Sequence, residues 1–292
     1  MIKRIIILSL AMMFAFMAQG QQVESKKCKT CGKPLKECQY RGKHPSSTPK
    51  PKQEETKIES KYVRMDGDDI VFDLNGKEYR YKMVYVSSGT YTMGCTSEQG
   101  DDCFSYEKPA HSVTVSGFYM GQTEVTQALW KAVMGSNPSN WKGNTLPVES
   151  VSYNDVKDFI GKLNSLTGMT FRLPMEEEWE FAARGGNSSR AYKYSGGDNI
   201  GSVAWYDGNS GSKTHPVAQK QANELGIYDM SGNVWEWCSS LWCSDYSSSR
   251  SGSYRVYRGG SWFYNARDCR VSNRNHNVSS YRGSTLGFRL AR

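Results

Sequence analysis

Hydrophobic and polar positions change period several times along this chain, and each change marks a segment. An apolar run from Ile5 to Ala18 is followed by a polar stretch over residues 21–60. Alternation begins in DDIVFDLNGKEYRYKMVYV, where two period-two runs flank Asn75-Gly76, a strong hairpin turn signal. GTYTMGC (89–95) and HSVTVSGFYM (111–120) read as further strands. From Thr123 to Met134 the period becomes helical, with Val125, Leu129, Ala132 and Val133 on one side and Thr123 or Thr126 as the opening residue. A second helix is expected over Tyr153–Leu166, carried by Val156, Phe159, Ile160 and Leu163, capped by Asn154 or Ser152 and stopped by Gly168. A third runs from Met175 to Arg184 after Pro174; Glu176, Glu177 and Glu178 stand in its first turn, where the helix dipole favours negative charge. That placement accounts for the three glutamates without acid–base chemistry.

Beyond Arg184 the periodicity fades. Residues 187–225 carry turn chemistry throughout, and 226–292 hold GIYDMSGNVWEW (226–237), YRGGSW (257–262) and GFRLAR (287–292). Glycines open conformations that a Cβ forbids, indoles fill volume, and guanidiniums satisfy carbonyls that irregular backbone leaves unpaired. The expected core is built largely of loops.

The first twenty residues read as a secretory signal peptide: Lys3 and Arg4, the apolar run, then Ala18-Gln19-Gly20 as a cleavage site. That run is short for a membrane span, so the expectation is an exported protein, periplasmic or in the cell envelope, with no span after cleavage. The net charge is +8, yet residues 21–60 alone hold ten Lys/Arg against five Asp/Glu. More than half of the excess therefore belongs to a tail of linker composition, and nucleic acid is not an expected partner. The tail also carries Cys28, Cys31, Cys38 and His44. A Cys-x2-Cys turn followed by Cys and His suits tetrahedral zinc; a Cys28–Cys31 or Cys31–Cys38 disulfide is the alternative. Cys95 and Cys103 are spaced for a local disulfide. Four histidines, one of them in the tail, are poor material for a three-histidine metal centre.

The three C-terminal cassettes, with RLPMEEEWEFAARGG (172–186), MVYVSSGTYTMG (83–94), EKPAHSVTVSGFYMGQTEVT (107–126) and LPVESVSYNDVKDFIGKLN (146–164), resemble in content and order the domain of formylglycine-generating enzymes, or sulfatase-modifying factors. The resemblance covers roughly residues 82–292, after a signal peptide (1–20), a tail (21–60) and a leading hairpin (61–81). It implies an α+β, loop-rich fold with short helices and antiparallel strands, distantly C-type-lectin-like. It implies an oxidase that converts a cysteine of a sulfatase to formylglycine with oxygen and a copper ion on two thiolates. In that family the first thiolate stands three residues after the serine of Gly-Gly-Ser and the second five further on. Counted from Ser261, those positions hold Tyr264 and Cys269, so the first sulfur is missing. Aligned backward from Arg274, Cys269 falls at a non-catalytic position. Cys269 and Ser261 remain the candidate catalytic residues, with Trp235, Arg270, Arg274 and Arg289 as candidate cleft residues.

Cys238 and Cys243 have Cys-x4-Cys spacing at a different place in the chain, where a disulfide between them, or between Cys238 and Cys269, is expected. The resemblance also implies a structural calcium on the Asp229 side chain, the Gly232 and Val234 carbonyls and the Glu236 carboxylate, with a Glu236–arginine pair as the alternative. Alternation along extended chain would turn residues 232, 234 and 236 the same way. The function expected is binding or assembly through a protein or peptide partner. The alternative is a copper- and oxygen-dependent oxidoreductase using Cys269 or the Cys238/Cys243 pair.

Overall fold

The structure, a computed structural model, describes residues 63–292. The expected signal peptide, the tail and its Cys28, Cys31, Cys38 and His44 lie outside the described residues.

Strands β1 (Val63–Asp66), β2 (Asp69–Leu74) and β3 (Lys77–Tyr81) form a three-stranded antiparallel sheet. Its β2–β3 turn is the expected Asn75-Gly76, with φ of 57° and 80°. Both angles are left-handed, as a two-residue hairpin with right-twisted strands requires. This sheet is part of the main core rather than an appendage: Ile70, Phe72 and Leu74 pack in one cluster with Leu129, Phe159, Trp237 and Phe288. β4 (Met83–Val86) pairs with β7 (Phe118–Gly121), and β5 (Gly89–Met93) with β6 (His111–Val115). The segment read as one strand over 111–120 is thus two, each with its own partner. Two glycine-poor alternating runs separated by Ser116-Gly117 look continuous in sequence, and only the pairing divides them.

Helix α1 (Gln127–Met134) begins one turn later than its periodicity suggests. Thr126 is the cap that accepts from Leu129 N–H at 3.3 Å, which leaves Val125 in extended chain. Helix α2 (Tyr153–Thr167) has Ser152 as cap, accepting from Asp155 N–H at 3.1 Å while the Asp155 side chain accepts from Ser152 N–H at 2.8 Å. Gly168 ends it at φ 69°. Helix α3 (Glu176–Ala183) opens with Glu178 accepting from Met175 N–H at 2.8 Å. α4 (Ile200–Val203) is a single turn among the loops of 187–225. Residues 226–292 supply β8 (Trp235–Leu241), β9 (Tyr254–Arg258), β10 (Arg274–Val278) and β11 (Leu286–Gly287), in sheet order β10-β9-β8-β11.

Four buried acids are held by five arginines. Arg270 meets Glu107 with two bonds of 2.6 and 2.8 Å, and Arg274 meets Glu176 with two of 2.6 and 2.8 Å. Arg258 and Arg184 share Glu180, and Arg289 holds Glu236. Spare N–H groups reach loop carbonyls: Arg258 donates to Ser272 and Val271, Arg274 to Tyr106 and Cys243, Arg289 to Gly121 and Tyr228. Arg270, Arg274 and Arg289 therefore brace loops inside the fold instead of lining an open cleft. Removing one partner of such a pair leaves an uncompensated buried charge.

Candidate functional site

Ser261 is buried on the loop that leaves β9 through Gly259 and Gly260, whose φ values are 100° and 75°. Its Oγ accepts from Phe263 N–H at 3.4 Å, and its carbonyl accepts from Tyr264 N–H at 3.0 Å, so the serine is used in closing a turn. Tyr264 is half-buried and lays its ring against Trp235, with centroids 5.5 Å apart. Cys269 is fully buried with Tyr194, Val203 and Ala204. A Cβ on Gly260 would stand 2.5 Å from its Sγ, which measures how closely the backbone covers the thiol. Burial raises the Cys269 thiol far above its ordinary range; Asp268 and Asp207 raise it further, and the Ser261 backbone only partly opposes them.

Copper(I) wants accessible thiolate sulfur in pairs. Here one position offers a phenol and the other a neutral thiol sealed from solvent, so these residues do not fit the metal. Cys238, Cys243 and Cys269 are all free and buried, which corrects the expected Cys238–Cys243 or Cys238–Cys269 disulfide. Cys238 lies in β8 within one apolar cluster, Cys269 lies in another, and Cys243 sits after β8 with its Sγ 3.6 Å from Arg274. Spacing of five along a strand carries the second sulfur away along the chain, whereas a loop could have turned it back. The Cys95–Cys103 disulfide is formed as its spacing implied. Native protein is expected to show no rapidly reacting thiol among residues 63–292 and no tight copper(I) binding. Thiol labelling and copper titration of the unreduced chain carrying Cys28→Ser, Cys31→Ser and Cys38→Ser, with the Cys95–Cys103 disulfide intact, check both, and stoichiometric binding lost on adding Cys269→Ser would overturn this assignment.

Asp229, Val234 and Glu236 lie around Arg289 and Glu124, a buried acid that the sequence reading passed over, while Gly232 pairs with Trp205 and Gly259. Glu236 receives Arg289 through bonds of 2.5 and 2.7 Å and Trp179 Nε1 at 2.6 Å, which is the arginine pairing named beside calcium. Glu124 accepts from Asn233 Nδ2 at 3.2 Å and Val234 N–H at 3.3 Å; Asp229 accepts from Ala218 N–H at 2.7 Å. Gly232 and Asn233 have φ of 83° and 56° and are not extended chain. The predicted alternation of 232, 234 and 236 therefore fails at its first member: β8 starts only at Trp235. Three buried carboxylates face one guanidinium. Burial pushes Asp229 up to about 6 with Glu236 adding to the rise, and Glu124 stands well above the carboxylate range, raised by burial, Asp229 and Glu236. A hard cation would relieve that excess of negative charge. Asp229 and the loop carbonyls have the oxygen chemistry for it, with Glu236 already shared with Arg289. Glu124's only sequence signal was its place in GQTEVT ahead of α1.

Large apolar side chains stand exposed on the segment 254–281. Of the seven large hydrophobic side chains exposed among the described residues, four fall within 254–281: Phe263 at 63%, Tyr254 at 45%, Tyr281 at 40% and Val278 at 37%. Phe263 continues inward through Trp262 to Trp141 on one side, with centroids 5.4 and 4.8 Å apart, and through Tyr264 to Trp235 on the other. Among the described residues no helix is long and apolar enough to cross a membrane.

A mixed fold of short helices and small antiparallel sheets, closed by arginine-braced glycine loops, defines the class, and comparison names it. Residues 71–292 match the family described as sulfatase-modifying factor enzyme 1-like domain, and the chain belongs to that family. A protein named chaperone protein LppX, from Paenibacillus barcinonensis, is 34% identical over 242 residues, covering 65% of this chain and 86% of that protein. The bovine (Bos taurus) protein named inactive C-alpha-formylglycine-generating enzyme 2 is 32% identical over 182 residues, covering 57% of each. A serine/threonine-protein kinase named Pkn1, from Chlamydia trachomatis, is 27% identical over 266 residues, and this chain spans 41% of its length and matches over 80% of its own. Among solved structures, Treponema denticola variable protein 1 is similar at a TM-score of 0.65 and 33% identity, over 76% of this chain and 98% of that one.

Proposed function

We propose that this chain is a binding member of the family, without formylglycine-generating activity, that engages a protein or peptide partner after export to the periplasm or cell envelope. The carrying observation is the set of exposed apolar side chains of residues 254–281, anchored by Phe263 at 63% exposure on rings packed edge to face. Aromatic side chains standing on a braced scaffold lose little entropy on binding and supply the anchors on which interfaces depend. The sealed Cys269 and the phenol at Tyr264 support the loss of copper chemistry. Relatives named as a chaperone and as an inactive formylglycine-generating enzyme agree with it.

The combined substitutions Tyr254→Ser, Phe263→Ser and Tyr281→Ser are expected to weaken partner binding by at least about 30-fold, the loss of one interface hot spot, while leaving the thermal midpoint unchanged. The check is quantitative pull-down from cell envelope with both chains as bait. Equal recovery of every protein by the two baits would end this reading.

Export rests on residues 1–20, and zinc in the tail on Cys28, Cys31, Cys38 and His44. Calcium is proposed as a structural ion at Asp229, the Gly232 and Val234 carbonyls and Glu236, supported by the surplus of buried carboxylate there. Bound, it would neutralise acids that now resist ionisation. Sign follows from the raised Asp229: an acid lifted to about 6 in the fold holds its proton more tightly than in the unfolded chain. The metal-free fold therefore loses stability as pH rises from about 4 to 6, and calcium restores it above that window. Native mass spectrometry of the exported chain, with melting in calcium and in chelator, reads all three proposals. A chain still bearing residues 1–20, or carrying no metal and melting identically in both, would refute the corresponding part.

A further inference from the structure

The four-stranded sheet ends at β10, which pairs with β9 on one side only. Which of its backbone groups face outward follows from one bond and the strand's alternation. Trp242 N–H donates to the Tyr254 carbonyl, which turns Tyr254, Val256 and Arg258 toward β8 and leaves Arg255 and Tyr257 facing β10. Their partners across the ladder are Asn277 and Asn275. Arg274, His276 and Val278 therefore direct their N–H groups away from β9; Arg274 is buried, so the open part of the edge is His276 and Val278.

Each of those three donors is already used. Arg274 N–H donates to Asn273 Oδ1 at 2.9 Å, His276 N–H to Asn275 Oδ1 at 2.8 Å, and Val278 N–H to Asn277 Oδ1 at 2.9 Å. The Val278 carbonyl accepts from Tyr281 N–H at 3.0 Å as the chain turns away. The run Asn-Arg-Asn-His-Asn-Val places an amide oxygen one residue before every outward donor. An unpaired strand edge is a template for another strand, and its attraction lies in the row of free N–H groups. Side-chain oxygens that take those protons locally remove the template without charge, proline or bulge.

We infer that Asn275 and Asn277 close the open part of this edge against strand addition, the excluded partner being the same edge of a second copy of this chain. An antiparallel edge is self-complementary, so two copies meeting about a twofold axis are the pairing most readily formed if the caps are lost. A consequence is that binding at the neighbouring apolar surface proceeds through side chains rather than by adding a strand.

The test uses the full chain carrying Asn275→Ala and Asn277→Ala; Asn273 is kept because its amide also holds Asp268. Amide exchange at His276 and Val278, read at low concentration, is expected to quicken about tenfold, the loss of one hydrogen bond's worth of protection. Sedimentation velocity at rising concentration is expected to show the variant dimerising where the parent stays monomeric. Asn275→Asp alone, which keeps an acceptor, is expected to hold His276 at the parental exchange rate. Unchanged exchange overturns the inference, and so does faster exchange in a variant that stays monomeric, or association without faster exchange. If the double variant fails to fold, the single Asn277→Ala is read by exchange at Val278 and by sedimentation with the same expected and overturning results.

Discussion

Arg289→Met is expected to lower the unfolding free energy by about 3–5 kcal/mol. The guanidinium is fully buried and makes four bonds: two to Glu236 and one each to the Gly121 and Tyr228 carbonyls. Methionine replaces its aliphatic stem but answers none of these groups. Glu236 would then be a buried charge among Glu124 and Asp229 with only Trp179 Nε1 left as donor. The sign of the pH dependence follows. Without Arg289 the Glu236 carboxyl is raised in the folded state, so the penalty is present above the unfolded carboxylate range and vanishes as pH falls below about 4. Urea unfolding followed by tryptophan fluorescence at pH 7 and pH 4 measures both. Adding Glu236→Leu to Arg289→Met is expected to recover much of the loss, because the pair would leave together. A loss under about 1 kcal/mol at neutral pH would mean that water or relaxation satisfies the acid, against the sealed geometry described.

Gly232→Ala is expected to cost about 3 kcal/mol or more, from two causes that a control separates. Its φ of 83° is left-handed, and a Cβ there would stand 2.3 Å from the Trp205 carbonyl oxygen and 2.9 Å from that residue's carbonyl carbon and nitrogen. Backbone cannot rotate aside as a side chain can. Gly252 has a φ of 90° with nothing within 4 Å of its missing Cβ, so Gly252→Ala carries the conformational cost alone, about 1 kcal/mol. Thermal unfolding is expected to place Gly232→Ala roughly 6–12 °C below the parent and Gly252→Ala a few degrees below. Equal shifts would show that the Trp205 contact yields freely and is not what holds the 229–236 loop in place.

Local chemistry was legible wherever a rule acts over a few residues. The Asn75-Gly76 hairpin, the Ser152 cap and Gly168 stop of α2, the acids opening α3 and the Cys95–Cys103 pair each depend on neighbours within about ten positions. The family was legible too, because its cassettes are dense in residue types that have few substitutes. Tyr264 in place of a thiolate could be read by counting from Ser261.

Elsewhere counting failed, since it cannot supply direction. Cys238 and Cys243 have the spacing of a bridge, yet a strand carries them apart; Gly232 and Glu236 have the spacing of one face, yet a left-handed turn lies between them. Glu124 reached the acid cluster from more than a hundred residues upstream of Glu236, and no local rule marks such a meeting. The sequence by itself determined which residues were available: glycines to turn, indoles to fill, five arginines to answer four buried acids, and one sulfur too few for copper. Tertiary structure alone decided which acid each arginine holds, that Cys269 is sealed, that Phe263 is not, and that β10 is the edge its own asparagines cap. The physical reason is one of range: turns and caps are set by bonds between near neighbours, whereas burial and charge pairing depend on what the rest of the chain brings alongside.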